Sequence, residues 1–135
     1  MPVYRGRCHC GDVQFEIKAE IDHVRECDCS VCRRRGALNF RVLPDAIRFL
    51  TPLGALSVYR WGSETAADYF CPRCGVMPFR QPSAPTAEER EAGTVPFEGW
   101  AVNVRCIDDL DLDALPRVHI QGSRLKIDVR AKGAE

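Results

Sequence analysis

Residues 27–32 read CDCSVC, so Cys27, Cys29 and Cys32 are spaced C-x-C-x-x-C. Thiolates at this spacing can converge on one metal ion. Cys27 and Cys29 share a face where the chain is extended, and a turn at Ser30-Val31 returns Cys32. Three protein ligands leave one coordination position open, which is what a catalytic zinc keeps for water or substrate. Two other readings stay open from the residues alone. Cys106 could be a fourth ligand that closes the site, or the cluster could hold no metal. Against the first stands the alternation of Cys106 with Val102 and Val104, which reads as a buried small hydrophobe. Asp28, between two ligands, is expected to point away from them. Arg33, Arg34 and Arg35 follow the cluster directly. They would offset the negative charge of three thiolates on a divalent ion, and they could grip an anionic ligand by two-pronged contact with carboxylates. The plain alternative for any one of them is a solvated charge.

Four further cysteines form two pairs, Cys8-x-Cys10 and Cys71-Pro-Arg-Cys74 followed by Gly75. The second pair is a zinc-knuckle sequence, in which the glycine permits positive φ and lets backbone amides face the sulfurs. A bend at Gly11 can bring the first pair onto one ion. Pooled, Cys8, Cys10, Cys71 and Cys74 make a closed set of four ligands for a structural zinc, whose binding energy would be folding energy. The alternative, a redox dithiol at each pair, lacks the βαβ setting such sites use. His9 lies between two ligands, points to the other face of the strand, and is left out of the set.

The chain that must position these residues has 135 of them, enough for one domain with a modest core. Lys+Arg and Asp+Glu balance at 19 each, which weighs against a nucleic-acid partner. Eight cysteines fit metal chemistry in a reducing compartment better than a disulfide framework. The segment MPVYRGRCHC has no apolar stretch of the signal-peptide kind. No apolar run approaches the roughly 18 residues of a membrane span, so the expected location is the cytoplasm.

Strand patterns dominate. Val13, Phe15 and Ile17 alternate with polar residues directly after the first cysteine pair. Further strands are expected at 38–43, 46–50, 56–61, 68–71, 100–106, 118–120 and 125–129. Helix signals are confined to one or two turns at 30–37, with Ser30 as N-cap, and a short turn at 108–115 stopped by Pro116. Residues 81–99 read as a long loop with a turn of helix at TAEERE, and loops of this length in a compact domain are often functional. Trp61, Tyr69 and Phe70 are expected in the core or as pocket wall.

Assembled in order, GRCHCGDVQFEI, CDCSVCRRRGA, YFCPRCGV and VNVRCIDDLDLDALP resemble the glutathione-dependent formaldehyde-activating family, which includes the centromere-protein-V-like proteins. The resemblance covers most of the chain and rests on seven cysteines at three matched spacings. It implies a mainly β, Mss4-like fold of small curved antiparallel sheets around a structural zinc, in a single domain over 1–135. Two zinc ions per chain are implied: a structural one on Cys8, Cys10, Cys71 and Cys74, and a catalytic one on Cys27, Cys29 and Cys32. The implied activity is a carbon–sulfur lyase reaction, condensation of glutathione or a similar thiol with formaldehyde or a related small aldehyde. Family members often carry His where Asp28 stands, a basic residue near Asp68-Tyr69, and Ser where Val76 stands. The rival functional readings are a non-catalytic zinc module that binds a thiol or a protein partner, and a chromatin-associated zinc protein.

Overall fold

The structure is a computed structural model and describes residues 1–124. Its first half contains strands β1 (Val3–Arg7), β2 (Gln14–Lys18) and β3 (Val24–Cys27), helix α1 (Ser30–Arg35), then β4 (Asn39–Val42), β5 (Ile47–Phe49) and β6 (Ser57–Tyr59). The second half contains β7 (Ala67–Phe70), β8 (Phe79–Gln81), helix α2 (Ala87–Glu91), β9 (Trp100–Asn103) and β10 (Arg117–Ile120). The strands form two sheets. The smaller has the order β1-β2-β5, the larger β10-β3-β4-β9-β8-β7-β6. All pairings are antiparallel except the one between β10 and β3, which is parallel.

Register decides what each face of the larger sheet can do. One row runs Phe40, Val102, Phe79, Tyr69 across neighbouring strands and turns to the core. The next row, on the opposite face, runs Arg41, Ala101, Arg80, Asp68. Side chains in a strand alternate faces, so this apolar row fixes the charged one. The two sheets meet through aromatic rings. Phe15 and Phe49 of the smaller sheet lie 5.5 and 4.9 Å from Phe79, and Phe49 lies 4.8 Å from Trp100, all edge to face. Such pairs add roughly 0.5–1.5 kcal/mol each beyond the area they bury.

Several sequence expectations shift in detail. Ser30 is the first residue of α1, and Cys29 holds the N-cap position in extended conformation. The helix stops at Gly36, in the left-handed region, whose N–H is donated to the Cys32 carbonyl at 2.8 Å. The strand expected to reach residue 106 ends at Asn103. There the Asn103 side chain accepts the Arg105 N–H and starts a 3-10 turn, which sends both Val104 and Cys106 inward. The turn expected at 108–115 is a 3-10 turn over Leu112–Ala114. Inside the 81–99 segment α2 closes with a capping box between Thr86 and Glu89. Three strands have no counterpart in the apolar pattern. β1 buries only Gly6, β3 buries only Val24, and β8 is three residues behind Pro78. The strand expected at 125–129 lies outside the described residues. Among the described residues, no helix is long and apolar enough to cross a membrane.

Gly99 precedes β9 where it passes the end of β4. A Cβ there would fall on the Val42 carbonyl oxygen, a backbone atom held by the β4–β9 ladder. Gly99→Ala is therefore expected to destabilise the fold by roughly 1–3 kcal/mol, as overpacked core sites do, read as a lower thermal midpoint.

Candidate metal centres and the cavity beside one of them

The two separated cysteine pairs come together. Cys8 Sγ lies 3.7 Å from Cys10 Sγ, and Cys10 Sγ lies 3.6 Å from Cys71 Sγ. All four sulfurs of Cys8, Cys10, Cys71 and Cys74 fall within 4.8 Å of one another. Thiolates sharing one tetrahedral zinc with bonds of about 2.3 Å stand about 3.8 Å apart, so this set fits the ion. Each pair sits on a tight turn that ends in a positive-φ glycine, Gly11 (85°) and Gly75 (80°). The Val13 N–H donates to Cys8 Sγ at 3.3 Å and the Cys74 N–H to Cys71 Sγ at 3.5 Å, contacts that favour thiolate. His9 is exposed, as expected.

Cys27, Cys29 and Cys32 form a second cluster, also within 4.8 Å of one another. Cys27 ends β3, Cys29 caps α1, and Cys32 faces inward from its first turn. The three sulfurs share protons. Donation from Cys29, then Cys32, draws Cys27 down to about 2, and the same contacts push Cys29 and Cys32 up. Cys106 is not among them. It is buried in the core, where burial and then the nearby Cys8 and Cys74 charges push its thiol up to about 12.

Two structures hold this cluster in place. The first is a buried ion-pair bridge. Asp68 is 0% exposed and accepts from Arg80 Nε at 2.6 Å and from Arg35 at 2.9 Å. Arg35 lies in the last turn of α1, so the bridge pins the helix that carries Cys32 to the sheet. Burial opposes the charge on Arg80. Asp68 outweighs it, with Cys32 and Cys29 adding, and its pKa is raised. The second is the turn after β10. Asp28 accepts the Ser123 N–H at 3.0 Å, and its own N–H is donated to the Ile120 carbonyl at 3.1 Å. Asp28 thus points away from the ligands, as expected, and seats Gly122 against Cys27. A Cβ on Gly122 would stand 2.6 Å from Cys27 Sγ and 3.0 Å from Cys29 Cβ. Hydrogen bonding from the Gly122 backbone also favours the Cys27 thiolate.

A cavity of about 570 Å³ opens beside the second cluster, with all three of its cysteines in the wall. The 81–99 segment supplies a wall through residues such as Pro82, Thr86 and Phe97, and Trp61 supplies another part. Tyr69 packs against the core. The arginines that line the cavity are Arg25, Arg41, Arg80 and Arg90. Arg33, Arg34 and Arg35 do not line it. Arg33 and Arg34 are exposed, Arg34 donates to the Ser30 carbonyl at 2.9 Å, and Arg35 is engaged by Asp68. Sequence reasoning missed Arg41 and Arg80 because they reach the cysteines through strand pairing, and it passed over Arg25 although Arg25 stands two residues before Cys27 in β3. The readable signal was limited to Arg41, which stands between Phe40 and Val42 and so on the face opposite the core.

A mainly β chain of two sheets, with an early C-x-C clamped to a later C-x-x-C, defines the Mss4-like class of fold. Within that class, residues 3–112 match the family described as glutathione-dependent formaldehyde-activating enzyme, and the chain belongs to that family. It is also similar to a crystal structure of a Rhodobacter sphaeroides protein. That structure is 29% identical, with a TM-score of 0.66 and coverage of 84% of this chain and 99% of the other. The family match ends before β10, so the Gly122 turn lies beyond it.

The two clusters give opposite expectations for two cysteine variants. Cys71→Ser should lose metal and yield unfolded or insoluble chain, because the clamp spans 61 residues. Cys106→Ala should keep its full zinc content and lose about 1 kcal/mol of stability, the scale of one small deletion in a core. Metal analysis together with thermal unfolding reads both.

Proposed function

We propose that the chain acts, as one domain, as a carbon–sulfur lyase of the S-(hydroxymethyl)glutathione synthase kind. Glutathione or a similar thiol would be joined to formaldehyde or a related small aldehyde, in the cytoplasm where such thiols are held reduced. The observation that carries this reading is the Cys27, Cys29, Cys32 cluster in a cavity wall. Among the described residues it has no fourth metal-ligating side chain. Three sulfurs and access from a cavity fit a zinc with one exchangeable position. Cys8, Cys10, Cys71 and Cys74 would hold the second, structural ion.

Zinc bound by the three cysteines would act as a Lewis acid that keeps an incoming thiol ionised near neutral pH. The chain's own residues supply the rest. The cavity's arginines draw in an anionic thiol and favour its ionised form. Arg80, held by Asp68 and lining the cavity with the three cysteines, would offset the negative charge that develops on the aldehyde oxygen. One carbon–sulfur bond forms, the carbonyl π bond opens, and the thiol's proton ends on the new hydroxyl through solvent. The cavity also holds the partners together, which replaces a dilute encounter by a near-unimolecular step. Arg33, Arg34 and Arg35 enter as well. Arg33 and Arg34 offset the cluster's charge from the last turn of α1, and Arg35 secures Asp68.

Cobalt substitution tests the exchangeable position, because thiolate ligation to cobalt gives charge-transfer absorption. Glutathione should strengthen that absorption in wild type. Cys29→Ala should abolish the increase while keeping the absorption of the four-cysteine site and the folded state. A Cys29→Ala protein that responds to glutathione as wild type does would remove the second cluster from the reaction.

A further inference from the structure

Among the described residues, two cavity arginines have no carboxylate in contact with them, and Glu89, in the same lining, acts on Arg41 only from a distance. Asp68 accounts for Arg35 and Arg80. Among the described residues, no carboxylate lies within ion-pair distance of Arg25 or Arg41, although both line the cavity. Burial, then repulsion from Arg25 and Arg80, lowers the pKa of Arg41, and the more distant Glu89 carboxylate offsets only part of this. The Phe97 ring lies 5.0 Å from the Arg41 guanidinium and steadies its plane. Register puts the two arginines on one face. Arg25 of β3 is paired with Asn39 of β4, and Arg41 follows Asn39 by two residues. Asn39 itself is 9% exposed and lines the same cavity, and its Oδ1 has no hydrogen-bond partner. A buried acceptor without a donor, beside two cations that no described carboxylate reaches within ion-pair distance, describes the complement of a ligand.

We propose that Arg25 and Arg41, with Asn39 between them, form the subsite that recognises the substrate's carboxylate together with an N–H on the adjacent carbon. The arginines take the carboxylate, and Asn39 Oδ1 accepts the N–H. Cys27 lies two residues beyond Arg25 in the same strand, about 7 Å along it. One small peptide thiol can therefore span from the subsite to the metal-ligating sulfurs. Both ends of glutathione carry the required chemistry: the γ-glutamyl end has an α-carboxylate beside an ammonium, and the glycyl end has a carboxylate beside an amide. The thiol part of this assignment rests on the function proposed above, whereas the carboxylate subsite stands without it.

Calorimetric titration of the zinc-loaded protein with S-methylglutathione isolates the subsite, because that compound has no free thiol. Wild type should bind it. Arg25→Met and Arg41→Met should each weaken binding by roughly tenfold or more, the scale of a lost charged contact, and Asn39→Leu by roughly fivefold. Arg25→Lys, which keeps the charge but not the fork, should fall between and guards against a variant that fails to fold. All variants should keep their zinc content, and their cobalt response to mercaptoethanol, which has no carboxylate, should fall less than their response to glutathione. S-Methylglutathione amidated at its glycyl carboxyl and S-methylcysteinylglycine separate the two ends, because each keeps one of the two carboxylates. The compound whose binding the arginine changes reduce carries the recognised carboxylate. Failure of wild type to bind S-methylglutathione, or binding unchanged in Arg25→Met and Arg41→Met, overturns the subsite. Retained S-methylglutathione binding without a cobalt response to glutathione would instead remove the thiol chemistry and leave the subsite intact.

Discussion

Four sulfurs drawn from two distant places in the chain set the constraint on which the remaining geometry depends. Cys10 and Cys71 are 61 residues apart and their sulfurs stand 3.6 Å apart. That contact joins the β1–β2 hairpin to the turn after β7. β7 in turn fixes the register of β8 and β9, and it carries Asp68, three residues before Cys71. From Asp68 the order passes through Arg35 to α1, and so to Cys32. The two cysteine clusters are chemically independent and mechanically linked. In a domain of this size a closed four-cysteine site that binds metal would supply folding energy that the modest core need not.

The second cluster is built with an excess of positive charge around it. One buried carboxylate serves two guanidinium groups, and two more line the cavity with no ion-pair partner among the described residues. Taking such charges out of water is costly, and a buried charge persists where a partner compensates it. Here Asp68 compensates Arg35 and Arg80, and the thiolates compensate Arg80 further. What is left at Arg25 and Arg41 is a field for an anionic ligand, with the 81–99 segment as one wall. The C-terminal turn completes the setting, since only a residue without a side chain fits between Cys27 and Cys29 at position 122.

The parts of this arrangement that were legible in the sequence are the local ones. C-x-C and C-x-x-C-G spacings fix how two sulfurs converge over a few residues, and the alternation at Val13, Phe15 and Ile17 marks a half-buried strand. The long 81–99 segment also declared itself by its composition. What stayed hidden depends on pairing between strands. Arg33, Arg34 and Arg35 drew attention because they follow Cys32, yet a helix turns successive side chains in different directions, and only Arg35 meets the site's network. Arg25, Arg41 and Arg80 stand on three different strands, and their convergence is a property of register. Gly122 gave no signal at all, since its requirement comes from a parallel pairing between β10 and β3 that no local pattern announces.

The central claim is that one cluster is closed by four sulfurs and the other is left open by three. Zinc K-edge X-ray absorption on protein purified without chelator, with zinc and protein quantified on the same sample, addresses both at once. Two zinc ions per chain, a mean sulfur number midway between three and four, and a light oxygen or nitrogen scatterer are what the two clusters predict. One zinc per chain with four sulfurs, or two with four sulfurs each, would contradict the account.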